Sequence, residues 1–244
     1  MFEWITPNWP APPSVKAYTT TRYGGYSSAP FHGFNLADHV GDDPEAVAAN
    51  RTLLLQTLNL PSEPLWLKQV HGIETIAAHS HRTNCMADAT YTTQREQVCV
   101  VLTADCLPVF FCDRAGTCVA VAHAGWRGLA GGILEATVQC FKVPAQDILV
   151  WLGPAIGPQA FEVGAEVRDT FIDFLPLAIE AFQPGYDENH WLADLYQLAR
   201  QRLVQQGVTE IYGGNCCTYT DAERFYSYRR EKVTGRMANL IWLI

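Results

Sequence analysis

The sequence predicts an α/β domain in which mixed sheets are covered by helices, and three observations support it. Near-continuous apolar runs at residues 98–103 (VCVVLT), 117–122 (TCVAVA) and 148–152 (ILVWL) read as strands buried on both faces. Amphipathic stretches at residues 162–174 and 194–206 read as helices that cover them. Strands outnumber helices and do not alternate with them as a doubly wound dinucleotide fold requires. The 244 residues contain no Ser/Gly tract, charge block or internal repeat, so a single domain over 1–244 is expected.

The elements follow in order. Residues 16–22 (KAYTTTR) form a Thr-rich strand that turns at Tyr23-Gly24-Gly25. Asp42, with Pro44 and Glu45 behind it, is a helix-start signal, and Val47, Leu54, Leu55 and Leu58 recur on one face after it. Residues 65–69 and 73–78 are short strands on either side of His71-Gly72. The helix at 194–206 has Asp194 as N-cap and Gly207 just past its end. Strands at 208–212, 225–229 and 239–243 close the chain.

Composition excludes several classes of function. Net charge is −8, and the 17 Lys and Arg are scattered rather than gathered in a stripe, which argues against a nucleic-acid partner. The first residues, MFEWITPNWPAPP, have neither a basic nor an apolar leader region. No run approaches the roughly 18 apolar residues of a membrane helix, so the expected location is cytoplasmic. In that compartment the eight cysteines stay reduced, and the absence of a CxxC pair argues against a zinc ribbon. Neither GxGxxG nor GxxxxGK[ST] occurs in a phosphate-cradling context.

Three strand interruptions carry the chemistry: Gln69-Val70-His71-Gly72, Thr103-Ala104-Asp105-Cys106-Leu107-Pro108 and Ala122-His123-Ala124-Gly125. Each places a His or Cys at or just beyond a strand end, and neighbouring strand ends converge in space. His71, Cys106 and His123 together make a three-ligand set suited to zinc with a fourth position left for water, an arrangement that generates hydroxide near neutral pH. Asp88, or Asp105 beside the thiol, is the candidate proton shuttle or partner of a ligand. Taken singly, each of these residues reads more readily as packing, and the three together outweigh that reading.

Arginines beside glycine-rich backbone suit an anion. Arg22 opens RYGG, Arg127 lies in GWRG, and Arg229 and Arg230 end FYSYRR, with Arg230 expected to be solvated. Trp126, Tyr226 and Tyr228 are candidates to stack on a flat ring, at least two of them being expected in core packing instead. The glycines behind His123 are read as room for substrate.

The ordered set TTRYGG, FNLADHVGDDP, QVHG, ADA, TADCLPV, AHAGWRG, GPAIGP, FEVG, CCTYTD, FYSYRR and TGRMA resembles the YfiH family, also called the peptidoglycan editing factor, polyphenol oxidase or laccase-domain family, over nearly the whole chain. The resemblance implies two mixed β-sheets sandwiched between helices in α/β/β/α layers, similar to the deamidase fold of cytotoxic necrotizing factor. It implies His71, Cys106 and His123 as metal ligands, Zn2+ as cofactor with Cu2+ as an alternative, and phosphorolysis of adenosine, inosine or methylthioadenosine together with adenosine deamination. On this reading Asp88, Cys106 and Arg127 are catalytic, Arg22, Asn35, Gln69 and Arg229 bind substrate, and purine nucleoside and phosphate are the partners.

Counting tests the oxidase label. A laccase needs a blue-copper set plus a trinuclear centre, and the chain has seven histidines, with the one His-x-His, at His79 and His81, in a polar stretch. The H-x-E and P-C-x-x-C pattern of cytidine-type deaminases is also absent. Two further classes compete: a cysteine hydrolase with Cys106 as nucleophile and His123 as base, and an editing factor acting on UDP-MurNAc-peptides, as the family's other name suggests.

Overall fold

The computed structural model describes residues 3–78 and 85–244; His79 and His81 lie outside them. Four strands, every residue of them buried, form its spine: Cys99–Thr103, Leu107–Asp113, Val119–Ala124 and Ile148–Leu152, here β5 to β8. With β3 (Thr75–Ala77), β4 (Ala89–Thr92) and β12 (Glu210–Gly213), the last three of these build a six-stranded sheet in the order β12-β8-β6-β7-β4-β3. Its two outer pairs are parallel and its inner pairs antiparallel. A four-stranded antiparallel sheet, β1-β2-β13-β5, joins β1 (Trp4–Ile5), β2 (Val15–Thr20) and the buried β13 (Met237–Leu243) to β5.

Side-chain alternation explains why these strands are apolar throughout. Along β13, Ile241 and Leu243 face the six-stranded sheet, where they meet Phe110, Val121 and Trp151; Ala238, Leu240 and Trp242 face the other way. That outer face is covered by α1 (Pro44–Leu58) through Leu54, with Phe34 and Leu36 beside it. The far face of the six-stranded sheet packs its odd β6 and even β7 residues against α2 (Trp126–Gly131), α3 (Ile133–Val138) and α5 (Leu195–Gln205). The core is therefore layered helix, sheet, sheet, helix.

Several expectations are corrected. Among the described residues there are three sheets rather than two, and of these only the six-stranded one is mixed. The third pairs β10 (Phe182–Pro184), β11 (His190–Ala193) and β9 (Glu162–Gly164) antiparallel. The stretch 162–174 is thus not one helix: its first three residues pair as β9, and α4 (Ala165–Phe174) begins after Gly164, whose backbone is extended. The N-cap of α1 is Asp43, whose Oδ1 accepts the Glu45 N–H at 3.0 Å, while Asp42 binds Ser27 and Asn35. Residues 225–229 are not a strand. Ser227 caps the one-turn helix α6 (Tyr228–Glu231) by accepting the Arg230 N–H. Residues 65–69 contribute only a bridge from Lys68 to Met86. β6 is not legible in the sequence because Pro108, lacking an N–H, looks like an interruption; it sits at the strand's second residue, where the position is tolerated. All eight cysteines are free thiols, and among the described residues no helix is long and apolar enough to cross a membrane.

Candidate active site

β5 and β7 deliver two of the three candidate ligands. β5 ends at Thr103, the chain turns through Ala104-Asp105-Cys106, and β6 starts at Leu107; Asp105 takes a left-handed backbone conformation, φ +87°, which aspartate tolerates better than most residues. His123 lies one residue before the end of β7, opposite Pro108 of β6, and so beside Cys106. His71 comes from a separate loop and is also left-handed, φ +60°.

One carboxylate places that loop. Asp88, fully buried, accepts the N–H groups of Val70 (3.2 Å), His71 (2.9 Å) and Gly72 (2.7 Å), and its Oδ1 lies 2.8 Å from His123 Nδ1. Its carbonyl accepts the His123 N–H at 2.7 Å. With the Nδ1 of His123 engaged, the other ring nitrogen is the one left for a metal. The ligand atoms of His71, Cys106 and His123 all lie within 4.8 Å of one another, with Cys106 Sγ 3.8 Å from His71 Nε2. Exposure grades across the cluster from buried His123 through half-buried Cys106 to exposed His71, so one side is open.

The glycines behind His123 serve a purpose other than the expected one. A Cβ on Gly125 would stand 2.8 Å from His71 Cδ2 and 3.0 Å from Cys106 Sγ, and one on Gly128 would stand 2.8 Å from the Gly72 carbonyl. They make room for the ligands and the His71 loop, not for substrate.

Electrostatics couple the three groups. Burial pushes the Cys106 thiol up, but the charge and hydrogen bond of His123, with help from His71, outweigh it and bring the thiol down to about 6. Burial pushes His123 down, yet Cys106 and Asp88 raise it to about 9. Asp88 is itself held below the usual carboxylate range: burial works against this, and the His123 bond and charge together with the backbone N–H groups prevail. Without a metal, Cys106 and His123 each favour the other's charged form, and the Asp88 carboxylate adds to this at His123.

The cluster opens into a cavity of about 390 Å³, a size within the usual range for small-ligand sites. Phe161, Ile156 and Tyr228 supply its apolar surface, while Arg229, Arg236 and Gln69 are among its polar lining. Gln69 spends both ends of its amide on the Leu102 backbone, pinning the His71 loop to β5. Other expected residues lie elsewhere. Arg127 is exposed, stacks on Trp126 at 4.3 Å and does not line the cavity. Arg22 pairs with Glu231 at 2.8 Å, and Asn35 is buried in hydrogen bonds to Ala37, Asp42 and the Arg236 N–H. Arg230, expected to be solvated, instead binds the carbonyls of Thr218, Tyr219 and Phe225. Tyr226 and Trp126 pack in the core, leaving Tyr228 as the cavity aromatic among the three.

Sequence reasoning missed Arg236. It lies in TGRMA just before β13, and Met237 pairs with Thr103, so antiparallel pairing carries Arg236 to the edge where β5 hands over to Cys106. The signals that could have found it are its place in the family motif TGRMA and that pairing. His39, not singled out by the sequence, lines the cavity as well.

A family model described as multi-copper polyphenol oxidoreductase laccase matches residues 16–244. A Pseudomonas aeruginosa protein named purine nucleoside phosphorylase is 54% identical over 243 residues, covering 100% of this chain and 99% of that one. The Escherichia coli protein named purine nucleoside phosphorylase YfiH is 54% identical over 245 residues, covering 100% of both. Among solved structures, a Neisseria meningitidis protein of the DUF152 family superposes with a TM-score of 0.94 at 48% identity over 98% of both chains. YlmD from Geobacillus stearothermophilus does so with a TM-score of 0.90 at 32% identity, over 98% of this chain and 96% of that one.

Proposed function

Because the chain belongs to the laccase-domain family that includes the YfiH-type purine nucleoside phosphorylases, we propose that it is a metal-dependent purine nucleoside phosphorylase that also deaminates adenosine, working in the cytoplasm. The observation that carries this reading is the convergence of His71, Cys106 and His123 on one side of an open cavity.

The donor set fits zinc. Two imidazoles and a thiolate around Zn2+, with bonds of about 2.0–2.3 Å, bring neighbouring donor atoms to roughly 3.3–3.6 Å, and the 3.8 Å between Cys106 Sγ and His71 Nε2 needs only slight contraction. Among the described residues no fourth protein ligand joins them, which is the composition of a catalytic rather than a structural site. When bound, zinc supplies Lewis-acid polarisation and a water acidic near neutral pH. Copper is an alternative occupant of the same three residues. Polyphenol oxidation is not proposed, because among the described residues no second cluster is available for further coppers.

The chain's own residues do the rest. Asp88 has both carboxylate oxygens committed and no exposure to the cavity, so it acts as a positioning residue that fixes the His123 ring and the His71 loop. Phe161, Ile156 and Tyr228 offer the apolar surface on which a purine packs. In phosphorolysis the C1′–N9 bond breaks as a C1′–O bond to phosphate forms, giving the free base and ribose 1-phosphate. In deamination, water replaces the C6 amine, giving inosine and ammonia.

The test is to purify the protein without chelator, measure its metal, and supply adenosine or inosine with and without phosphate. Phosphate-dependent release of free base, abolished in Cys106→Ala, is the expected result; no release from metal-loaded protein, or full activity in that variant, contradicts the reading.

A second reading has its own observation. The lowered Cys106, the raised His123 and the Asp88 bond to His123 form the nucleophile, base and orienting group of a cysteine hydrolase, the reading that goes with a deamidase-toxin-like fold. Under it, alkylation of Cys106 abolishes activity while metal removal leaves it intact.

A further inference from the structure

Most of the described arginines pair with a carboxylate. Arg22 and Arg230 pair with Glu231, Arg202 with Glu135 and Arg51 with Asp38. Arg229 and Arg236 have no carboxylate partner among the described residues, yet both line the cavity beside Cys106. The one carboxylate in the cavity lining is Asp105, and its oxygens are taken: Oδ1 accepts the Thr218 hydroxyl at 2.6 Å, and Oδ2 accepts the Ser227 hydroxyl at 3.0 Å and the Arg229 N–H at 2.6 Å.

Both guanidinium groups are held in place by backbone. Arg229 Nη1 donates to the Glu162 carbonyl at 2.9 Å, and Arg236 Nη1 donates to the carbonyls of Thr234 (2.8 Å) and Gly235 (2.9 Å). Each is thus anchored through a single nitrogen, which leaves Nε and Nη2 without a protein partner among the described residues. Aromatic rings stand close to both: Phe161 lies 5.5 Å from the Arg229 guanidinium and Tyr228 lies 5.9 Å from that of Arg236. Two fixed forks of like charge in one small cavity repel each other, a repulsion that the negative charges of Cys106 and Asp105 offset in part at Arg236 and that a bound anion would offset further; planar donor pairs of this kind match the oxygens of a phosphoryl group. A chain of net charge −8 repels phosphate over most of its surface, so binding it requires such a local concentration of positive charge.

We propose that Arg229 and Arg236 form the subsite for a tetrahedral dianion, inorganic phosphate, at the wall of the cavity that carries Cys106. The role of that anion as co-substrate rests on the phosphorylase reading; the existence of the subsite does not. The same chemistry is presented by the 5′-phosphate of a nucleotide, so the experiment separates the two sources.

Thermal unfolding is followed for the wild type, Arg236→Ala, Arg236→Lys, Arg229→Ala and the surface control Arg114→Ala, in potassium chloride, inorganic phosphate or adenosine 5′-monophosphate at matched ionic strength. Melting temperatures in chloride alone identify any variant that fails to fold, and Arg236→Lys, which keeps the charge without the fork, stands in for Arg236→Ala if that variant does. Phosphate is expected to stabilise the wild type and Arg114→Ala above chloride, with the shift lost in Arg236→Ala and Arg229→Ala and reduced in Arg236→Lys. In adenosine cleavage, the KM for phosphate is expected to rise at least about tenfold in Arg236→Ala while the KM for adenosine changes less than about threefold. Equal phosphate stabilisation of the wild type and both alanine variants overturns the subsite, as does stabilisation by the nucleotide and not by phosphate. Failure of the wild type to cleave adenosine, with phosphate stabilisation lost in the variants, overturns the phosphorylase reading and leaves the subsite standing; cleavage with an unchanged phosphate KM in the variants does the reverse.

Discussion

One wall of the cavity carries His123 and Cys106 at the junctions of fully buried strands, with His71 tied to them by a single buried carboxylate. A second wall beside it, with Tyr228, Arg229 and Arg236, hangs on a one-turn helix and the residue before β13, and Asp105, the neighbour of Cys106, bonds it through the Ser227 hydroxyl and the Arg229 N–H. Asp88 and Asp105 do similar work at two places: each gathers separate segments by accepting backbone or hydroxyl hydrogens. The difference is in what they touch. Asp88 bonds a candidate ligand directly, whereas Asp105 reaches the arginine wall through the Ser227 hydroxyl and the Arg229 N–H.

Removing Asp88 is expected to have the largest effect. Asp88→Ala strands three N–H groups and a charged imidazole in a buried site, and should cost about 3–5 kcal/mol in chemical denaturation together with loss of bound metal. Asp88→Asn, which keeps most of the shape but not the charge, should lower metal affinity about 10–100-fold by competition with a chelator. If Asp88→Ala unfolds no more readily than the wild type, the two walls do not differ as described.

Gly125→Ala probes the ligand wall sterically. Its Cβ would fall within 3.0 Å of both His71 and Cys106, so metal affinity should drop by about tenfold or more while the strands, which do not pass through residue 125, keep their hydrogen bonds. Metal titration followed by circular dichroism reads both outcomes.

The metal-free protein should show the coupling of Cys106 and His123 in its pH dependence. A thiol lowered to about 6 contributes stability that is present above its unfolded value of about 8.5 and is lost as pH falls through 6. An imidazole raised to about 9 contributes stability that is full below about 6.5 and is lost as pH rises through 9. Alkylation of Cys106 by iodoacetamide in chelated protein should therefore be half-maximal near pH 6; a midpoint near 8.5 would mean that the imidazole does not support the thiolate.

The smallest effect belongs to Arg127. Exposed and stacked on Trp126, it should change the KM for phosphate less than about twofold when replaced by alanine, against the larger change expected on the arginine wall.

The same contrast explains what could be read in the sequence. Strands β5, β7 and β8 are legible because burial on both faces leaves a nearly unbroken apolar run, and Cys106 and His123 are legible because they stand at or just beyond the end of such a run, whereas His71 is carried by a loop. β6 was hidden by Pro108, and α2 and α3, six residues each and divided by the left-handed Gly132, are too short for a helical period to show. The arginine wall was half hidden. Both Arg229 and Arg236 lie in motifs of the family resemblance, FYSYRR and TGRMA, but Arg236 reaches the site through the pairing of β13 with β5, which joins chain segments remote in sequence. The glycines beside Arg22 and Arg127, which suggest an anion site, serve backbone turns and ligand packing.

X-ray absorption at the zinc edge of the metal-loaded protein tests the central claim most directly. One sulfur at about 2.3 Å with three nitrogen or oxygen neighbours near 2.0 Å, the sulfur vanishing in Cys106→Ala, is the predicted result; a shell without sulfur, or one unchanged by that substitution, contradicts it.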